Sequence, residues 1–191
     1  MLIFAHRGAS GVEPENTLRA IRTALAAEVD GIEIDIYQVD GKLFVIDDRW
    51  LHRTTSGQGQ IFNYDYQYLS SLDAGGGEVI PTLDQVLQLI ARKCTINIEL
   101  KAVKNLTLLF SYIDDAINTT ALLSNDVLFS SFNHRSLDAI HQQRSDFAIG
   151  ALTACYPLDY AKFTEQLNAY SVHLETTLLV SILSLMLTNE A

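Results

Sequence analysis

The sequence predicts an α/β fold built on a buried parallel sheet, with strand ends that point to a barrel. Short β-type runs alternate with longer segments of helical period, the arrangement in which crossover helices join parallel strands. Those runs are mostly continuous apolar rather than alternating, as burial under helices on both faces requires. The third observation is chemical. Polar groups follow the apolar part of several strands, as His6-Arg7, Glu33 with Asp35, Asp47-Asp48, Glu99 with Lys101, and Ser130-Ser131. An open sheet concentrates its site at one crevice, whereas an α/β barrel gathers residues from many strands at one mouth.

In chain order, a strand over 2–5 delivers His6-Arg7-Gly8. A helix over 15–28 follows, entered through Pro14-Glu15-Asn16-Thr17; Glu15 suits the positive end of the helix dipole, so these four residues read as mainly structural. Strands are expected over 31–36, 43–46, 95–100, 127–132, 148–152 and 171–174, making seven in all. Helices are expected over 82–93, 106–123, 135–144, 159–170 and 178–189. The apolar run 178–187 is well short of the roughly 20 residues a membrane span needs and reads as part of a buried helix. Gly75-Gly76-Gly77 precedes a helix instead of ending a buried strand, which weakens a nucleotide-fold reading.

At 191 residues and 48% hydrophobic, the chain suits one well-buried core, so a single domain over 1–191 is expected. Thirteen Lys and Arg stand against 23 Asp and Glu with no basic cluster, which argues against nucleic-acid and anionic-membrane partners. Cys94 and Cys155 lie far apart in apolar settings and read as buried free thiols, in keeping with a reducing cytoplasm. No basic leader or apolar stretch precedes His6, so a cytoplasmic location is expected.

Glu33 and Asp35 stand two apart on a strand and therefore share a face; Glu99 and Lys101 repeat that spacing. Three carboxylates from two strands suit Mg²⁺ or Ca²⁺, with positions left for water and phosphate oxygens. Arg7 and Lys101 are then available to grip an oxyanion. Singly, each pair would read as a solvated strand end or a surface ion pair. Their joint occurrence on apolar strands points to a site, with His6 as its acid–base candidate. His52, His134, His141 and His173 read as structural or solvated.

These residues carry a resemblance. Ala5-His6-Arg7-Gly8, Pro14-Glu15-Asn16-Thr17, Glu33-Ile34-Asp35, Leu51-His52-Arg53-Thr54-Thr55, Pro81-Thr82-Leu83, Asn97-Ile98-Glu99-Leu100-Lys101 and Ser130-Ser131-Phe132 follow in an order and spacing that resembles the glycerophosphodiester phosphodiesterase family. The resemblance implies a TIM-type (β/α)8 barrel that hydrolyses glycerophosphodiesters to glycerol 3-phosphate and an alcohol with a divalent metal. It implies Glu33, Asp35 and Glu99 as metal ligands, Arg7 and Lys101 as phosphate contacts, and His6 as one of two catalytic histidines. The second histidine begins the family's His-Asp-x-x-Leu-x-Arg-Thr motif; here Asp47 holds that acid–base position, in Asp47-Asp48-Arg49-Trp50-Leu51-His52-Arg53-Thr54. Impaired turnover is therefore expected. Such barrels run to about 250 residues. The family's last strand motif is not found here, so the eighth strand and helix are expected to be missing, with self-association at the open edge. Two rival readings are a catalytically degenerate phosphate- and metal-binding barrel and a sphingomyelinase-type phospholipase D, which secretion and disulfides would accompany.

Overall fold

The structure, a computed structural model, describes residues 1–155 and 162–175. The chain forms two compact units, Met1–Leu128 and Phe129–Ala191.

The first unit is built around β2 (Gly31–Val39), with β1 (Phe4–His6) parallel on one side and β4 (Thr95–Ala102) parallel on the other. Ile32, Ile34 and Ile36 are fully buried, and the intervening Glu33 and Asp35 are buried too. Burial on both faces fits the continuous apolar character of the strand. β3 (Lys42–Val45) departs from the expected parallel pattern and lies antiparallel to β2. Asp40 and Gly41 both have positive φ, 49° and 69°, so they close a two-residue hairpin too short for a crossover.

Helix α1 (Leu18–Ala26) starts three residues later than the sequence pattern suggests. Thr17 caps it, its Oγ1 accepting from the Ala20 N–H at 3.2 Å, and the left-handed Asn16 turns the preceding chain toward β2. A short α2 (Tyr66–Leu69) is capped by Asp65. Helix α3 (Leu83–Ile90) has a capping box of Thr82 with Gln85 and buries Leu83, Val86, Leu87 and Ile90 along one stripe. Helix α4 (Leu106–Thr119) opens on Asn105, whose Oδ1 accepts from the Leu108 N–H at 3.0 Å. It stops before 123 because Thr120 is already extended. Between β3 and α3 the chain carries little regular structure, yet Leu51, Ile61, Leu69, Leu72 and Ile80 pack with Phe44 in one buried cluster. Each such side chain contributes about 1.5–3 kcal/mol on burial, enough to hold an irregular segment in a fixed conformation.

Strand β5 (Val127–Ser131) crosses the division between the units. Beyond it lie α5 (His134–Gln143), β6 (Ala148–Thr153), α6 (Phe163–Leu167) and β7 (Ser171–Leu174), with β6 and β7 parallel. His134 opens α5, stacks on Phe163 at 4.8 Å and places Nε2 2.8 Å from the Leu152 carbonyl oxygen, a structural role. The helix expected over 178–189, and the start of that expected over 159–170, lie outside the described residues. Both cysteines are free, but Cys94 is only half-buried and Cys155 is exposed, since it lies in the bend after β6. Among the described residues no helix is long and apolar enough to cross a membrane.

Candidate active site

The site is assembled at the end of β1 and along the inner residues of β2 and β4. His6 is the register partner of Glu33, and Asp35 that of Glu99. After His6 the chain turns through two left-handed residues, Arg7 (φ 57°) and Gly8 (φ 74°). A Cβ on Gly8 would lie 2.8 Å from the Ala20 carbonyl carbon, so the turn against α1 requires glycine. The turn lets the Arg7 N–H donate to Glu33 Oε2 at 3.0 Å. It also brings the guanidinium to Asp47 (2.8 Å), Glu15 (2.9 Å) and Asp35 (3.3 Å).

Glu33, Asp35 and Glu99 each offer a carboxylate oxygen within 4.8 Å of the others, and all three are buried. Burial, then the neighbouring Asp35 and Glu99, pushes the Glu33 carboxyl up to about 9. Burial likewise raises Glu99, although Lys101 opposes it. Glu33 Oε1 and the Oδ1 of Asn97, its register partner on β4, are buried without a hydrogen-bond partner. Orphaned buried oxygens beside clustered carboxylates are costly unless a cation completes them. The donor set is all oxygen and fits a hard divalent ion.

Lys101 arrives by an irregularity. Ile36 pairs with Leu100 but Tyr37 pairs with Ala102, so Lys101 is an extra residue on β4, a bulge. Its Nζ lies 2.6 Å from Glu99 Oε1, 2.8 Å from Asp47 Oδ1 and 3.0 Å from Asp35 Oδ1. Burial would lower the lysine pKa, but Asp35, Asp47 and Glu99 overcome it and keep the ammonium charged.

Asp47 stands just past β3, where the Ile46 N–H donates to the Asp35 carbonyl oxygen at 2.9 Å. Burial alone would raise its carboxyl, yet Lys101, Arg7 and Arg53 hold it below the usual carboxylate range. His6 is different. Its ring is 66% exposed, with Nε2 3.8 Å from Glu33 Oε2. Desolvation of the ring's inner part, then the Arg7 charge, lowers its pKa from 6.5, so at pH 7 it is mostly neutral and able to accept a proton.

His6, Arg7, Glu33, Asp35, Asp47, Glu99 and Lys101 thus share one cluster. Four further residues belong to it that sequence reasoning did not assign. Glu15, expected to serve the helix dipole, instead pairs with Arg7 at 2.9 Å and Arg53 at 2.7 Å, because α1 begins only at Leu18. Asn16 donates from Nδ2 to Asp35 Oδ2 at 2.9 Å. Arg53 reaches Asp47 at 2.9 Å and Asp48 at 2.8 Å, and Asn97 has been described above. All four lie within the short runs already noted, which is the one signal that could have marked them. Ser130 and Ser131 are buried on β5.

Clustered carboxylates that fit a cation, beside Arg7 and Lys101, suit an anionic ester, and the chain's relatives place it in the class of phosphoric diester hydrolases. The glycerophosphoryl diester phosphodiesterase family model matches residues 6–184, and the chain belongs to that family. Among curated relatives, a glycerophosphodiester phosphodiesterase of Caldanaerobacter subterraneus subsp. tengcongensis is 35% identical over 184 residues, 90% of this chain and 74% of its own length. One from Bacillus altitudinis is 37% identical over 164 residues, covering 79% of this chain and 66% of its own. The chain therefore spans 66–74% of the length of those proteins. Among solved structures, an Oleispira antarctica phosphodiesterase in complex with its product sn-glycerol-3-phosphate superposes with a TM-score of 0.80 at 27% identity, over 96% of this chain and 81% of that one. A glycerophosphodiester phosphodiesterase from Agrobacterium tumefaciens gives 0.78 at 28% identity, over 91% of this chain and 76% of that one. The fold is of the TIM-barrel type, as expected from the strand ends.

Proposed function

We propose that the chain hydrolyses glycerophosphodiesters to glycerol 3-phosphate and an alcohol, with Mg²⁺ or Ca²⁺ held by Glu33, Asp35 and Glu99. The observation that carries this reading is the buried three-carboxylate cluster with Arg7 and Lys101 beside it. A bound divalent cation supplies Lewis-acid neutralisation of the phosphate oxygens. Arg7 and Lys101 orient the phosphate and offset charge that develops on it. His6 takes a proton from the attacking water as its oxygen bonds to phosphorus; the P–O bond to the alcohol breaks, and the leaving alkoxide takes its proton from solvent.

Asp47 stands where the family has a second acid–base histidine, and three cations keep it ionised, so it has no proton to give at neutral pH. That favours slow turnover, because one acid–base group is worth about 10²–10⁴-fold. The same observation supports a second reading, a degenerate barrel that binds metal and phosphate without turnover. Release of glycerol 3-phosphate from glycerophosphocholine, with and without added metal, decides between them. Metal-dependent release supports the enzyme, and saturable ligand binding without product supports the binding protein. We also place the chain in a reducing compartment, where its free cysteines stay reduced.

A further inference from the structure

We propose that Asp47 is an internal anion: its carboxylate fills the place at which a substrate phosphate would meet Arg7, Lys101 and Arg53, and phosphate binds only by displacing it. This rests on the reading of Arg7 and Lys101 as phosphate contacts.

Asp47 uses both oxygens. Oδ1 lies 2.8 Å from Lys101 Nζ, while Oδ2 lies 2.8 Å from Arg7 Nη1 and 2.9 Å from Arg53 Nη2. Among the described residues it is the one carboxylate paired with all three cations; Glu15 pairs with Arg7 and Arg53, and Asp35 with Arg7 and Lys101. Bridging three convergent cations is what the oxygens of a phosphate do, and an aspartate does it with a charge already covalently in place. Arg7 and Lys101 are each only 19% exposed, so little of either cation is open to an incoming anion while Asp47 holds it. If the carboxylate stayed, two like charges would share one cation set, and such juxtaposition is strongly unfavourable. The backbone beneath Asp47 is pinned by the Ile46 N–H on Asp35 and the Val45 N–H on the Pro81 carbonyl oxygen at 2.8 Å, so displacement is a side-chain rotation. A histidine in this position would place no negative charge there. The substitution thus weakens phosphate affinity in addition to removing a proton donor.

The test is calorimetric titration of sn-glycerol 3-phosphate into wild type, Asp47→Asn, Asp47→Ser and Lys101→Met in Mg²⁺, with thermal melts of each in inorganic phosphate. Asp47→Asn and Asp47→Ser should bind at least about tenfold more tightly than wild type, since a charge that competes with the ligand is gone. Their melting midpoints should rise more on adding phosphate than the wild-type midpoint does. A purely structural Asp47 gives the opposite, weaker binding and no larger response to phosphate. If both variants bind no better than wild type while Lys101→Met loses binding, the internal anion is overturned and the phosphate site stands. If Lys101→Met binds as wild type does, the phosphate site falls, and this inference with it.

Discussion

At the scale of single residues, the site divides into groups held charged and groups held neutral. Arg7, Lys101 and Arg53 are kept protonated by the carboxylates around them, whereas Glu33 is driven toward its neutral form by burial and by Asp35 and Glu99. Removing one ligand should therefore remove the cation. In calorimetric metal titration Glu33→Ala should show no binding, and wild-type affinity in that variant would rule out this cluster. Catalysis is more exposed to position 47. Asp47→His restores a group able to carry a proton and should raise turnover of glycerophosphocholine by about 10²–10⁴-fold at neutral pH, while His6→Ala should abolish activity. A variant no faster than its parent, with metal binding intact, would refute the missing-proton argument. Asn16 acts at one remove. Asn16→Ala leaves the fully buried Asp35 with one hydrogen bond fewer, and denaturant unfolding should show a loss of about 1–3 kcal/mol.

Among the elements, the turn from β1 into α1 has little tolerance for change. Gly8→Ala must place a Cβ against Ala20 at a φ of 74°, so α1 has to shift, and Arg7 moves with the turn that carries it. Both melting temperature and metal-dependent activity should fall. A stable, fully active Gly8→Ala protein would show that the turn does not position Arg7. This turn also marks how far sequence reasoning reaches. Glu33, Asp35 and Glu99 were legible because period-two alternation on apolar strands is a local property, and His6 because it directly follows an apolar run. Glu15 was not, because its partner Arg53 lies 38 residues away and only the tertiary structure makes it a counter-ion instead of a helix-dipole residue. The β3 pairing was missed although Asp40-Gly41 is a hairpin signal, since an apolar run gives no hint of parallel or antiparallel neighbours. Lys101 was placed on the right face by alternation, yet it reaches the site from a bulge that periodicity cannot foresee.

For the molecule as a whole, the buried carboxylates tie stability, metal and pH together. Glu33 has its pKa raised from 4.5 to about 9, so between those values the folded protein binds more protons than the unfolded chain. Stability without metal must then fall as pH rises through this window, and Glu99, also raised, acts in the same direction. His6 and His173 are lowered from 6.5 and oppose this on the acid side, where the unfolded chain holds the extra proton and stability rises with pH. The clean interval is therefore pH 7 to 9. Over it, the melting midpoint of the metal-free protein should decline, and Glu33→Gln, which carries no titrating carboxyl, should flatten much of that decline. Binding a divalent cation reverses the sense, because the ligand must first lose its proton. Apparent metal affinity should strengthen by up to about tenfold per pH unit for each proton released. Calorimetry in two buffers of different ionisation enthalpy should detect that proton directly. A wild-type midpoint and metal affinity both constant from pH 7 to 9, with no proton released, would mean that Glu33 enters the folded state already ionised and that its charge is met by the protein alone.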